Sequence, residues 1–491
     1  MSVLLPLFVA LPMLMAGALI AVRPSVKVAS VALLGMLAVD LVAAGILLIR
    51  TSQGAVFGHR VGGWSATLSI PFVADAFSAL MLTLTVAMTL AVSVFAISTR
   101  AAEDPFFAAL VLLVTAGVNG AVLTGDLFNL FVFIEIMLVP SYGLLVLARR
   151  GQGQRMQVTS SRIYVTVNLL TSSIFLIGIA LTYAGLGSVN LAHLAGRGTD
   201  NPTGLLGCLI LLFALCVKAA VVPMHGWLGR TYPFMSPTVS ALFASLHTKV
   251  AVYAVFRLLT LFFGEGRWLW LGTTIFCISM AIGVLAALGQ TDARAVLSFH
   301  MVSQIGYTLL GVALMTVAGI AAGVFYLVHN VIAKGSLFLS VGAVERRYGR
   351  HPIGEVRGLL TREPLAAVTF LAAAVGFAGL PPFSGFVAKL ALITAAFSAQ
   401  QWAAGIAALG VSLFTLMSML KIWGGMFLGE PNPPSGEHEG PRIRTREIAP
   451  ALVLAAVSLG LGLYAQPLLS LGEVIAHGLL DPSAYVEAVL R

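Results

Sequence analysis

Fourteen apolar runs of about 20 residues or longer follow one another from end to end of the 491-residue chain. They lie at about 2–22, 27–49, 73–98, 106–124, 127–148, 162–186, 204–226, 235–262, 267–288, 294–316, 319–344, 364–399, 402–428 and 447–470. A run of that length spans the hydrocarbon core as a helix. Inside that core every backbone N–H and C=O must be satisfied within the protein. The sequence therefore predicts an all-α polytopic membrane protein with about 14 transmembrane helices. Hydrophobic residues at 59%, charged residues at 10% and a mean hydropathy of +0.99 exclude a soluble domain. The first run has no charged n-region and exceeds a signal h-region, so it is expected to stay as the first span. Cys208, Cys216 and Cys277 all fall within spans, which argues against a disulfide framework or a zinc site.

Two spans carry prolines where a helix cannot continue unbroken. Pro223 in span seven has no N–H for the carbonyl of Ala219, which predicts a break just after Lys218. Span twelve holds Gly379-Leu380-Pro381-Pro382-Phe383-Ser384-Gly385 in its middle and should break there. Irregular backbone at membrane depth is tolerated only when buried in protein or wet.

The charges report topology. One set of alternate loops carries eighteen of the 28 Lys and Arg, from Arg23 and Lys27 to Arg442, Arg444 and Arg446. The other carries six: Arg50, Arg60, Arg197, Arg257, Arg267 and Arg491. That bias predicts a multi-pass bacterial plasma-membrane protein with both termini outside. It accounts for the net charge of +9 without a nucleic-acid partner. The polar stretch from Glu430 to Arg446 reads as an inside loop before the last span. The expected organisation is spans 1–3 (1–105), a five-helix group (106–264), a second five-helix group (265–429), then the loop and span 14 (430–491). In each group the fourth helix is proline-broken and bears a lysine. Five is odd, so the copies insert in opposite orientation, as two inverted repeats.

Ionisable groups inside spans are expensive, and they mark interior or hydrated pathways. Here they are Glu135, Lys218, His247, Lys249, His329, Lys334 and Lys389, with His225 beside Pro223 and Asp40 in span two. Each has a plainer reading. Lys218 could snorkel to the surface, and His225 could cap or pack. His247 and Lys249 are two apart, roughly 200° around a helix, and His329 and Lys334 are five apart, roughly 140° past one turn. One member of each pair is therefore open to a structural role. Glu135 is expected to pair with Lys218, directly or through water. Asp40 stands apart as a second ion site, a protonated carboxyl or, as favoured, an interface hydrogen bond. A set rich in Lys and His suits proton exchange, because burial and mutual pairing shift their affinities in opposite senses. A hard cation wants several oxygens, and this interior is poor in carboxylates. No phosphate loop, metal cluster, hydrolytic triad or dinucleotide fingerprint is evident, so the expectation is a transporter without cofactor or metal.

The runs LLFALCVKAAVVPMHGWL, TVSALFASLHTKVAVYAV, QTDARAVLSFHMVSQIGY, HNVIAKGSLFLSVG and GLPPFSGFVAKL resemble the antiporter-like family. That family comprises the proton-pumping membrane subunits of respiratory complex I and the large subunits of Mrp-type sodium/proton antiporters. The likeness covers spans three to thirteen. LTGDLFNLFVFIEIMLVPSYGLL, and His300 where complex I relatives commonly carry Ser, lean toward the D-type branch of Mrp subunits. The resemblance implies proton-translocation roles for Glu135, Lys218, His247, Lys249, His329, Lys334 and Lys389. It implies as partners the other Mrp subunits (A, B, C, E, F and G), the bilayer, protons and sodium ions. The expected function is the proton branch of a multisubunit monovalent cation/proton antiporter, with the sodium path mainly in partner subunits. The main alternative is a proton-pumping subunit of complex I or of a membrane-bound hydrogenase. An organic-solute transporter and a scaffold with a vestigial ladder fit less well.

Overall fold

The computed structural model describes residues 1–64, 69–147, 154–263, 269–431 and 442–490. In chain order its helices are α1 (Leu7–Val22), α2 (Val26–Thr51), α3 (Ala76–Ser98), α4 (Phe107–Leu123), α5 (Leu127–Leu147), α6 (Gln154–Leu186), α7 (Leu191–Leu194), α8 (Pro202–Ala219), α9 (Gly226–Thr231) and α10 (Pro237–Phe262). There follow α11 (Leu269–Leu288), α12 (Ala293–Ala313), α13 (Val317–Tyr348), α14 (Leu359–Arg362), α15 (Pro364–Ala378), α16 (Ser384–Ser398), α17 (Trp402–Ile422), α18 (Thr445–Leu463), α19 (Gln466–Leu480) and α20 (Ser483–Leu490). Twelve helices among the described residues are long and apolar enough to cross a membrane. The expected fourteen would also need α4, at 17 residues, and the two 15-residue pieces α15 and α16 taken as one.

Helix starts follow local chemistry. Asp75 caps α3 by accepting from the Ser78 N–H at 2.9 Å, while the Ser78 hydroxyl accepts from the Asp75 N–H. Asn201, Asp292 and Thr316 cap α8, α12 and α13 in the same manner. Each cap satisfies N–H groups that the first turn leaves without a partner. Pro202, Pro237 and Pro364 occupy first-turn positions, where a missing N–H costs nothing.

Both expected breaks are present. α8 ends at Ala219, Ala220 is left-handed at φ 62°, and a turn carries Pro223 before α9 begins. α15 ends at Ala378, Gly379 is left-handed at φ 89°, and Pro381 and Pro382 lie in the turn before α16. α10, α12 and α13 form the middle of the molecule, and the long helix α13 packs on α10, α12, α15, α16, α18 and α19. The lipid-type faces belong to the outer helices, where Val39, Ile49, Leu170, Trp270 and Ile406 are exposed.

Three features depart from the sequence reading. A two-stranded antiparallel hairpin, β1 (Phe57–Arg60) with β2 (Pro71–Ala74), adds a little strand to the all-α architecture. The chain continues past span fourteen into α19, which buries Leu468, Ile475 and Leu479, and into α20. α20 packs so closely on β1 that a Cβ at Gly58 would stand 1.9 Å from the Ala488 carbonyl oxygen. Arg257, counted above as a loop charge, is a buried member of α10 in an ion pair with Asp75 at 2.6 Å. Arg149, Arg150, Arg267 and Arg491, the 264–265 boundary and most of the Glu430–Arg446 loop lie outside the described residues.

Candidate functional site

The buried ionisable side chains run from α5 and α8 across α10, α12 and α13 to α16. Glu135, midway along α5, is half-buried and accepts a very short hydrogen bond from the Ser172 hydroxyl of α6. One turn earlier on α6, Asn168 accepts from the Lys218 ammonium at 3.3 Å. Residues four apart share a helix face, so α6 presents one polar face to both charges. The expected Glu135–Lys218 contact is thus mediated by α6, and no direct ion pair joins them. The two charges nevertheless remain within electrostatic reach of each other.

Lys218 lies in the last turn of α8 and Lys389 in the second half of its broken span, after the prolines. Their positions relative to the breaks are opposite in sequence. In space Lys389 reaches back, and its Nζ donates to the Ala378 carbonyl that ends α15, at 2.7 Å. Both lysines therefore stand by the C-terminal end of the first half-helix, where unpaired carbonyls and the helix dipole favour a cation. The Trp227 indole N–H donates to the Val217 carbonyl at 2.9 Å, which also accepts from the Ala220 N–H at 3.0 Å at the first break.

His247 and Lys249 divide between two sides of α10. The Ser141 hydroxyl donates to the Met137 carbonyl at 2.6 Å, which leaves its oxygen to accept from His247 Nε2 at 2.8 Å. His247 is also in electrostatic range of Lys218. Lys249, 1% exposed, faces the other way and is in range of Lys334 on α13; its Nζ has no hydrogen-bond partner among the described residues. Lys334 Nζ donates to the Leu297 carbonyl of α12 at 3.4 Å and stands 5.5 Å from the centre of the Phe377 ring.

His329, five residues before Lys334, turns toward the second break. Its Nδ1 lies 2.8 Å from the Ser384 hydroxyl, itself 2.8 Å from the Ser458 hydroxyl of α18, and Lys389 is in electrostatic range. The angular separations that counted against both members of each pair facing one channel let α10 and α13 join successive groups. His300 of α12 is in electrostatic range of both Lys334 and Lys389, with its ring edge-on to Phe377 at 5.4 Å between centroids. Both its ring nitrogens lack a hydrogen-bond partner among the described residues. The sequence reading used His300 only as a mark of resemblance. Its place as one more buried imidazole in a charged-lysine setting could have been suspected from its depth in span ten. Tyr307 and Tyr326 stack 5.0 Å apart, Tyr326 edge-on to His329 at 5.9 Å and Tyr307 5.8 Å from the Lys389 ammonium, and Tyr326 donates to Gln304 at 2.5 Å.

Asp40 and His225 stand outside this line. Asp40, 2% exposed, accepts from Asn119 of α4 at 3.4 Å, and the same amide donates to the Phe8 carbonyl of α1 at 2.9 Å. The Asn119 amide thus ties α4 to both α2 and α1. His225 is half-buried at the start of α9, and its side chain makes no cap hydrogen bond.

The family signature of the NADH:quinone oxidoreductase/Mrp antiporter transmembrane region matches residues 124–415. The D-type subunit of a Na(+)/H(+) antiporter from Alkalihalophilus pseudofirmus is 36% identical over 467 residues, covering 94% of this chain and 93% of that protein. Among solved structures, a chain of the Mrp complex from a Dietzia species is 47% identical with a TM-score of 0.96, covering 99% of each chain. A chain of an archaeal membrane-bound sulfane sulfur reductase is 26% identical with a TM-score of 0.89, covering 100% of this chain and 99% of that one.

Proposed function

The chain belongs to the NADH:quinone oxidoreductase/Mrp antiporter membrane family, and on that premise we propose that it is the proton-translocating subunit of a multisubunit sodium/proton antiporter. The observation that carries the reading is two runs of buried groups in electrostatic contact, Glu135, Lys218 and His247 on one side of α10 and Lys249, Lys334, His300, Lys389 and His329 on the other, which α10 itself joins through His247 and Lys249. A buried cation with few partners holds its proton weakly, and a neighbouring charge shifts that affinity. Entry of a proton at one group then alters the next, so a displacement can travel along the line. The gaps between groups exceed a hydrogen bond in places, and water would complete the transfers there.

The greater likeness to an Mrp complex favours antiport over a redox-driven pump, whose representative here is the sulfur reductase at lower identity. On this reading the partners are the other Mrp subunits, A, B, C, E, F and G. The arginine-rich ends of the helices face the cytoplasm, the termini lie outside, and residues 106–264 and 265–429 act as the two inverted repeats. Sodium crosses mainly in the partner subunits, because the lysines repel a second cation and the oxygens beside them are few. The test has two arms. The complex with Glu135→Ala should assemble fully and lose sodium-dependent proton movement in vesicles. The chain purified alone into liposomes should show no sodium-driven proton movement. Normal exchange in the first arm removes the role of Glu135, and robust exchange in the second overturns the division between subunits.

A further inference from the structure

We infer that the cleft between the ends of α3, α13 and α18 is a binding site for the phosphate headgroup of an anionic phospholipid. It is a site separate from the charged line and does not rest on the transport reading. The cleft, of about 280 Å³, is lined by Ser98, Arg100, Arg346, Arg347, Arg442, Arg444, Arg446 and Glu447. Six guanidinium groups thus face one carboxylate. That carboxylate is already engaged, since Glu447 Oε2 accepts from the Arg444 N–H at 3.3 Å in the first turn of α18. Among the described residues no carboxylate forms an ion pair with Arg100, Arg346, Arg442, Arg444 or Arg446. The arginines of the interior behave differently: Arg257 pairs with Asp75 and Arg294 with Glu345. An arginine fork matches the oxygens of a phosphate group two at a time, and a cluster of such forks makes that anion the fitting occupant.

The walls of the cleft select a lipid over a free anion or an acidic peptide. It lies where three helices long and apolar enough to cross a membrane end on one side of the molecule. Below it both walls are apolar and exposed. On α18, Val453 and Val457 are 60% and 42% exposed, and they lie within about 20° of Arg446 around the helix axis. On α3, Val94 is exposed one turn before Ser98. A phosphate in the cleft would place its acyl chains along these valines, as basic pockets between helices hold anionic headgroups. The occupant would also tie α18 to α13. Those helices already meet where the Ser336 hydroxyl donates to the Ala451 carbonyl at 2.7 Å, and again through Ser458 and Ser384 at His329.

The experiment uses the intact complex, purified in mild detergent and exposed in turn to cardiolipin, phosphatidylglycerol, phosphatidylcholine and inorganic phosphate. Retained lipid is read by native mass spectrometry, and thermal stability is read alongside. The wild type should retain cardiolipin and phosphatidylglycerol over phosphatidylcholine. The triple variant Arg346→Gln/Arg442→Gln/Arg446→Gln should lose about tenfold or more of that retention, with subunit composition unchanged. Arg197→Gln, an exposed arginine paired with Asp200, should retain lipid as the wild type does. Equal retention by the triple variant overturns the site. So does stabilisation of the wild type by inorganic phosphate to the same degree as by lipid, which would mark a free-anion site. Loss of a partner subunit from the triple variant with lipid retention intact would mark a protein-docking surface and overturn it as well.

Discussion

His247 and Lys249 sit on one helix two residues apart and look into opposite halves of the molecule. His247 meets Ser141 at 2.8 Å and faces Lys218, while Lys249 faces Lys334. A helix turns about 100° per residue, so a spacing of two sets the two side chains on opposite sides of α10 and not along one wall of it. The same device recurs on α13, where His329 faces Ser384 and Lys389 while Lys334 faces Leu297 and Lys249.

The face of α6 that separates Glu135 from Lys218 should matter for transport. Ser172→Ala removes the hydroxyl that Glu135 accepts from, leaving part of a half-buried carboxylate unsatisfied at about 1–3 kcal/mol. Asn168→Leu does the same to Lys218. Each variant should lower sodium-dependent proton exchange several-fold in vesicles without dissociating the complex. Exchange at the wild-type rate in both would show α6 to be a bystander.

Gly385 is a steric keystone of the second break. A Cβ there would stand 1.9 Å from the Gly376 carbonyl oxygen and 2.8 Å from His329 Cε1. Gly385→Ala must push α15, α16 and α13 apart, an overpacking cost of about 1–3 kcal/mol or more. The expected outcome is a lower thermal midpoint of the complex together with impaired exchange. Gly410→Ala, which meets nothing within 4 Å, should be silent by both measures.

Asp75 and Arg257 tie the start of α3 to the end of α10, beneath the Tyr485 ring 4.8 Å from the guanidinium. Burial alone would raise the Asp75 carboxyl, but Arg257 and the Ser78 N–H and hydroxyl outweigh it and hold it below the usual carboxylate range. A lowered folded value means the contribution is complete above the unfolded value of about 3.9 and is lost as pH falls through the folded value. Asp75→Asn should therefore destabilise at neutral pH by about 3–5 kcal/mol, as removal of one buried partner does. The gap to wild type should narrow in acid, read as thermal midpoints across a pH series. A constant gap would mean the pair contributes no charge-dependent stability.

Much of this arrangement is legible in the sequence because a lysine within an apolar run has few alternative explanations. Lys218, Lys249, Lys334 and Lys389 stand out on cost alone, and Pro223 with Pro381 and Pro382 marks both breaks. Their uncharged partners do not stand out. Ser141, Asn168, Ser172 and Ser384 are ordinary polar residues of membrane helices, and only their contacts single them out. Arg257 misled the charge count because that count places it with the loops although it falls inside the run 235–262, and its partner Asp75, 182 positions away in the chain, is not announced locally. α19 escaped notice because its apolar stripe is one-sided, with Leu468, Ile475 and Leu479 inward, so it lacks the continuous run that identifies a span.

Lys249 is the residue on which the account turns, since with His247 it would take the proposed line from the α10 side that meets Lys218 to the side that meets Lys334. The measurement is sodium-dependent proton movement in vesicles holding the complex with Lys249→Met, an apolar side chain of similar length. Assembly is checked by copurification. The account predicts an assembled complex with exchange abolished. Exchange at the wild-type rate in that assembled complex would contradict it.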